Sequence, residues 1–200
     1  MKKDFWDHRY QDHPGLYGRE PNTFFKQKID RLPPGKLLLP GEGEGRNALY
    51  AASLGWQVTA FDMSEVARAQ AIHQASQERL SLHYEVTSAE KFEGKKNSFS
   101  AVALIFFHLP SVQRKAIHRK LESYLAQEGK LIITGFGKKQ LEYSSGGPKD
   151  PAMLYKLEEL KKDFTQLRWL EENDQVAELE EGNGHRGMGH LISLFGEKVR

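Results

Sequence analysis

Apolar positions along this chain follow two alternating periods. Near-continuous apolar runs occur at Leu37-Leu38-Leu39, Val58-Thr59-Ala60-Phe61, Ala101–Phe106 and Leu131–Phe136. Runs of that length, bounded by glycine, proline or polar residues, predict strands covered on both faces. Between them apolar residues recur every three or four positions, the period of a helix. These series are Ala48, Leu49, Ala52; Val66, Ala69, Ile72; and Ile117, Leu121, Tyr124. Gly55 closes the first helix, Ser64 stands at the N-cap of the second, and the third has Pro110 near its start and Gly129 as its stop. A shorter strand is expected at Leu82–Val86, followed by a polar surface loop over Lys91–Asn97.

Both ends of the chain depart from that alternation. Residues 3–13 carry Phe5, Trp6, Arg9 and Tyr10 at helical spacing until His13-Pro14-Gly15. A second helical pattern runs through Phe24, Phe25, Lys28, Ile29 and Leu32 and is stopped by Pro33-Pro34-Gly35. After Phe136 residues 137–150 read as a loop, and Asp150-Pro151 opens a helix with Met153, Leu157, Leu160 and Phe164 on one face. Two β-rich segments, near 167–180 and 189–197, flank Glu181–Gly187 and read as a closing hairpin at a sheet edge. Strict β-α-β-α order with this finish predicts an α/β fold, a doubly wound, mostly parallel sheet with helices on both faces.

Length and composition narrow the function classes. Two hundred residues suit a single domain over 1–200. A net charge of +2 sets up no field that recruits nucleic acid or a membrane surface. The chain has no cysteine, which removes disulfides, zinc–thiolate sites and a cysteine nucleophile together. Met1–Asp7 has two lysines but no apolar core, so it does not read as a signal peptide, and no run has the length of a membrane span. The expectation is a soluble, cytoplasmic protein, monomeric or weakly dimeric. His8, His13, His73, His83, His118 and His190 have no convergent carboxylates at metal spacing, so no metal is expected. Arg114-Lys115 and His118-Arg119-Lys120 lie on a helix that already has an apolar face and read as solvated surface.

The candidate chemistry lies in Pro40-Gly41-Glu42-Gly43-Glu44-Gly45-Arg46-Asn47, between the first strand and its helix. Glycines at alternate positions let the backbone turn tightly and approach a ligand. Ligands of open α/β sheets sit beyond the carboxyl ends of the strands, where Asp62, Ser88-Ala89 and Phe106–His108 also fall. An acid about 20 residues past the first glycine suits a ribose diol. The third glycine of the dinucleotide fingerprint is replaced by Arg46, and Glu42 and Glu44 would face a pyrophosphate with like charge. No Gly-Lys-Ser/Thr is present for a nucleoside triphosphate. A phosphate-free, cationic nucleoside fits, and S-adenosylmethionine is one.

The chain resembles the class I S-adenosylmethionine-dependent methyltransferases, and within them the tellurite-resistance branch, over nearly its whole length. The resemblance is carried by Phe5-Trp6-Asp7-x-Arg9-Tyr10, Tyr17-Gly18-x-Glu20-Pro21-Asn22, Gly43–Ala48 and Leu54-Gly55-Trp56-x-Val58-Thr59-Ala60-x-Asp62. It continues in Ile105-Phe106-x-His108-Leu109-Pro110, Gly146-Gly147-Pro148-x-Asp150-Pro151 and Glu181-Gly182-x-x-His185. It implies a Rossmann-like methyltransferase fold, a seven-stranded sheet whose last strand is antiparallel. It also implies that Gly41, Gly43 and Gly45, with Arg46, pass under the methionine part of the cofactor. Asp62 would hold the ribose, Met63, Ser88 and Ala89 would meet the adenine, and Phe106 would line the floor.

Two positions leave the family pattern. The acid usual at the end of the first strand is Leu39, and Glu42 stands where a small residue or cysteine is common. Glu42 is therefore a candidate replacement for the missing carboxylate at the cofactor's ammonium. On the acceptor side His108, His185, Tyr17 and Arg19 are the candidate catalytic set, with Arg186 able to complete a pocket for a small anion. His108 has an alternative reading as a cap of the helix after Pro110. Residues 1–32 and 138–150 are expected to act as lid elements. The expected activity is methyl transfer to a small molecule, a soft anion or thiol-like nucleophile. The alternatives are an S-adenosylmethionine-binding module without turnover and a methyltransferase acting on a macromolecule.

Overall fold

The predicted strands lie side by side in one sheet. In a computed structural model that describes residues 3–199, the strands are β1 (Lys36–Pro40), β2 (Gln57–Asp62), β3 (His83–Val86), β4 (Phe99–Ile105), β5 (Leu125–Phe136), β6 (Leu167–Glu181) and β7 (His185–Lys198). Met1 and Lys2, part of the expected N-terminal lid, and Arg200 lie outside the described residues. The helices are α1 (Lys3–Asp12), α2 (Thr23–Ile29), α3 (Arg46–Ser53), α4 (Glu65–Gln77), α5 (Ser111–Tyr124) and α6 (Leu157–Lys162). Strand order is β3-β2-β1-β4-β5-β7-β6; β7 is antiparallel to both its neighbours, and the other pairings are parallel.

Side-chain alternation in the central strands assigns the helix layers. Leu37, Leu39, Ala101, Ala103, Ile105 and Ile132 point to one face, where Phe25 and Ile29 of α2, Ala48 and Ala51 of α3 and Ala71 of α4 cover them. Leu38, Val102, Leu104, Leu131 and Ile133 point to the other, against Ile117, Leu121 and Tyr124 of α5 and Leu160 of α6. Each fully buried leucine or isoleucine contributes about 1.5–3 kcal/mol relative to an exposed one. The unbroken apolar runs are thus the two inner faces of a doubly covered sheet read in one line.

Four local expectations differ from the structure. Gly129 does not stop α5, which ends at Tyr124; the chain enters β5 directly at the buried Leu125. Leu125 pairs with Phe99, and the register then shifts before pairing resumes at Ala101–Lys130, with Glu128 at φ +62° inside the irregularity. The pattern after Asp150 is not one helix. A 3-10 turn over Pro151–Met153 is capped by the Asp150 carboxylate, and α6 starts only at Leu157. Between them Tyr155 donates its N–H to Phe136 O (2.9 Å) and its hydroxyl to Phe107 O (2.6 Å), so backbone pairing outweighs helical periodicity there. The second helix ends at Ile29, short of Leu32, and a 3-10 turn at Lys138–Glu142 occupies part of the expected loop.

Parallel winding brings the ends of β1, β2, β3, β4 and β5 to one rim. Because β7 runs the other way, it starts at that rim and places the hairpin tip, Glu181–His185, there as well. At the centre of the rim Gly45 caps α3 in a left-handed conformation, φ +88°, and a Cβ on it would lie 2.7 Å from Ala71 Cβ on α4. Gly45→Ala therefore combines backbone strain with a clash, and its urea midpoint should fall by the equivalent of about 1–3 kcal/mol.

Candidate active site

The turn after β1 is held from both sides by neighbouring strands. Gly43 N donates to Asp62 Oδ2 (3.1 Å), Gly43 O accepts from the Tyr84 hydroxyl (2.6 Å), and Glu42 N donates to Phe61 O (3.2 Å). Gly41 and Gly43 take φ of +62° and +64°. A Cβ on Gly41 would lie 2.5 Å from the Phe107 ring, and one on Gly43 2.5 Å from the Tyr10 hydroxyl, so both aromatics rest on bare backbone. Asp62 is 8% exposed and also accepts Ser64 N (2.9 Å). Burial pushes its pKa up, against the opposing hydrogen bonds from Ser64 and Gly43. Asp7 of α1 accepts the Ser64 hydroxyl (2.6 Å), which ties α1 to the start of α4.

The two turn glutamates face into the protein. Glu42, 8% exposed, accepts Asn47 N and Ala48 N on Oε1, both at 2.8 Å, and Asn47 Nδ2 on Oε2 at 3.3 Å. It supplies the cap that Gly45, lacking a side chain, cannot give α3. Burial pushes its pKa up to about 7. Glu44 accepts Gly15 N (2.6 Å), and burial raises its pKa too. Glu42, Glu44 and Asp62 form no ion pair among the described residues. Arg46, the cation whose charge acts on Glu42, is itself paired with Glu181.

A roof spans the rim above this turn. Arg46 donates to Tyr17 O (3.0 Å) and Glu20 O (3.4 Å) while pairing with Glu181, which also accepts Asn22 Nδ2 (2.7 Å). Gly184 N donates to Leu16 O (2.8 Å). Gly182, at φ +65°, approaches Gly18 N so closely that no side chain fits between them. Burial pushes the Glu181 carboxyl up, but the Arg46 guanidinium paired with it prevails and holds it below the ordinary carboxylate value. His185, 5% exposed, packs on Phe106 (ring centroids 4.2 Å), Tyr17 (4.6 Å) and Phe136 (5.0 Å). Its Nδ1 lies 4.0 Å from Glu181, beyond hydrogen-bond reach, and has no partner. Burial lowers the His185 pKa against the pull of Glu181, so the ring is neutral at pH 7. Phe106 sits at φ +51°, a costly conformation for a non-glycine residue, with its N–H held by Thr134 O at 2.8 Å.

The predicted residues therefore divide. Gly41, Glu42, Gly43, Gly45, Arg46 and Asp62 gather around the turn, while Tyr17, Phe106 and His185 meet in one aromatic cluster under the roof. Met63 and Ser88 are half-buried at the ends of β2 and β3, with Ala89 buried beside them. Glu42 is neither solvent-facing nor free: the amides of α3 take up its oxygens. His108 is buried with both ring nitrogens committed, Nδ1 to Met153 O (2.9 Å) and Nε2 accepting from Phe136 N (3.0 Å). Burial pushes its pKa down to about 4. It neither presents a free base nor caps α5; it locks β5 to the 151–153 turn. Arg19 is exposed and lines an outer groove with Tyr50, Gln74 and Glu78, away from His185. Arg186 is exposed as well. Sequence reasoning missed Glu181 as the roof's anchor and Phe107, Phe136 and Tyr10 as its aromatic lining. The one signal for Glu181 was an acid four residues from a histidine across a glycine-rich turn.

Residues 38–129 match a family model described as a methyltransferase domain. The chain has the Rossmann-like methyltransferase fold. A protein solved in work on conversion of a disulfide bond into a thioacetal group during echinomycin biosynthesis is 17% identical, with a TM-score of 0.78 over 100% of this chain and 92% of the other. TehB from Haemophilus influenzae is 20% identical, with a TM-score of 0.75 over 96% of this chain and 67% of that one. Magnesium protoporphyrin IX methyltransferase from Synechocystis PCC 6803, with bound SAH, is 16% identical, with a TM-score of 0.72 over 98% and 97% of the two chains. No curated protein matches the sequence.

Two outcomes follow from this geometry. Glu181→Gln leaves Arg46 buried without its counter-ion, which should cost about 3 kcal/mol and speed amide exchange at Leu16–Gly18 and Gly182–Gly184. The folded pKa of Glu42 lies above its ordinary 4.5, so the folded state binds more protons between that value and about 7. Stability from protonated Glu42 is lost as pH rises through that window. Wild-type Tm minus that of Glu42→Gln should accordingly fall between about pH 5 and pH 8.

Proposed function

We propose that this chain binds S-adenosylmethionine at the Gly41–Gly45 turn and transfers its methyl group to a small-molecule acceptor beneath the roof. The observation that carries the reading is the charge of the rim. Two buried carboxylates, Glu42 and Asp62, and the half-buried Glu44 surround a turn of bare backbone, with no cation paired to any of them among the described residues. Such a site disfavours phosphate and favours a ligand that brings its own positive charge. The residues fit the group on that count and on the turn glycines' lack of side chains. The cofactor, when bound, supplies an electrophilic methyl group on a sulfonium.

The chain's own residues do the rest. Gly41, Gly43 and Gly45 give the ligand backbone to lie against, and Asp62, fixed by Gly43 N and Ser64 N, offers its remaining lone pairs to ribose hydroxyls. Met63, Ser88 and Ala89 take the adenine, and Phe106 the floor. The roof of residues 16–22 and 181–185, with loop 138–150 packed below it, acts as a lid that excludes water and aligns the acceptor. Gln140 holds that loop together, donating to Ser145 Oγ and Gly146 O at 3.0 Å each.

His185 is the proton acceptor of the site. It is neutral, has an unpartnered Nδ1, and sits beside an ionised Glu181 that stabilises its protonated form. Tyr17 orients its ring. A soft anion would need no proton removed; a thiol or hydroxyl would pass one to His185. The burial of His185 among Tyr17, Phe106 and Phe136 favours a small acceptor over a macromolecule. The resemblance to the tellurite-resistance branch makes thiols, selenite, tellurite and halides the first acceptors to assay. Among the described residues no helix is long and apolar enough to cross a membrane.

Calorimetry with S-adenosylmethionine followed by a turnover panel over those acceptors tests the proposal. Asp62→Ala should weaken cofactor binding at least about tenfold, the loss of one charged hydrogen-bonding group. His185→Gln should lower turnover of a protonated acceptor about 100-fold or more and leave a soft anion nearly unaffected. No binding at any concentration would overturn the cofactor assignment. Tight binding without turnover across the panel would favour a cofactor-binding module.

A further inference from the structure

Glu42 caps α3 from within the cofactor turn, between the two glycines on which Phe107 and Tyr10 rest. Its Oε1 takes two backbone amides and its Oε2 the Asn47 side chain, so the carboxylate is met by dipoles and by no paired cation. The groups that face it can be named element by element. Arg46 of α3 is drawn off by Tyr17 O, Glu20 O and Glu181. Tyr10 of α1 and Tyr84 of β3 both feel its charge, and their pKa values are raised, first by burial, so they stay neutral. Asp62 of β2 takes the N–H of the next residue, Gly43. Burial thus opposes ionisation of Glu42, the amide and Asn47 hydrogen bonds and the charge of Arg46 support it, and a pKa of about 7 expresses that balance.

A balance of this kind is tipped by a neighbouring charge. S-adenosylmethionine and S-adenosylhomocysteine share their amino-acid and nucleoside parts and differ at the sulfur, cationic in the first and neutral in the second. We propose that Glu42 is a proton-linked positioning residue, ionised when S-adenosylmethionine fills the turn and reprotonated from solvent once methyl transfer has removed the sulfonium charge. The inference rests on the cofactor reading above. Its consequence is directional. The methyl donor is held by a charged, fully capped turn, whereas the product sits on a neutral Glu42 that caps less well, and product release is coupled to uptake of a proton.

The test is calorimetric titration of both ligands at about pH 6, 7 and 8, each in two buffers of different ionisation enthalpy. Near pH 7 the wild type should release a larger fraction of a proton on binding S-adenosylmethionine than on binding S-adenosylhomocysteine. The ratio of the two affinities should rise about tenfold from pH 6 to pH 8, the effect of roughly one pKa unit of coupling. Titration of the shared amino group cancels in that ratio. In Glu42→Gln the ratio should be flat and the difference in proton release absent. A flat ratio in the wild type, or a wild-type pH dependence in Glu42→Gln, overturns the proposal. If Glu42→Gln does not fold, the wild-type proton count decides alone. Failure of both ligands to bind the wild type at every pH overturns the cofactor reading and this inference with it.

Discussion

The ion pair between Arg46 and Glu181 joins the first βα unit of the chain to its last hairpin. Arg46 opens α3 and Glu181 ends β6, so the bond spans the whole sequence and closes the rim of the sheet. Everything in the roof depends on it: Asn22, Tyr17 and Glu20 hydrogen-bond to one partner or the other, and His185 lies within 4.0 Å of Glu181. The pair is buried on both sides, so its geometry is demanded by the cost of leaving either charge alone. It also keeps Arg46, whose charge acts on Glu42, from pairing with it directly. The electrostatics of the glycine turn and the closure of the roof are therefore set by the same contact.

Much of the sheet was legible because each buried strand is an apolar run and each helix a 3.6-residue pattern. Asp62 and the glycine turn were legible because their spacing follows from where strands end. Other features depend on partners distant in sequence. His108 looks like a free base at a strand end until Met153, 45 residues later, takes one nitrogen and Phe136 supplies an N–H to the other. Arg19 adjoins Tyr17 in sequence, yet the turn after Gly18 sends it to the outer surface. Glu42 looked like a ligand contact because nothing local revealed that α3 lacks its own cap. Tyr155 broke a helical pattern by pairing with Gly137, a competition between backbone hydrogen bonds that periodicity cannot see.

The comparisons divide in the same way. At 16–20% identity the structural relatives show the fold alone, and a shared fold leaves the acceptor open. The features that shape the rim are local: a carboxylate drawn inward at Glu42 and an aromatic cluster around His185. Those features lie at strand ends and in the hairpin tip, where substitutions alter chemistry without disturbing the central strands.

The position of β7 has a consequence for how the molecule comes into being. β6 pairs with no strand but β7, and β7 must slide between β6 and β5 to join the sheet. Until β7 has left the ribosome, β6 has nothing to pair with, and neither Glu181 nor His185 is anchored at the rim. The core of β1 to β5 collects most of its contacts earlier, from neighbouring segments, whereas the roof waits for pairings between distant parts of the chain. In this assembly order the roof over the rim is closed last, by the final strand to arrive.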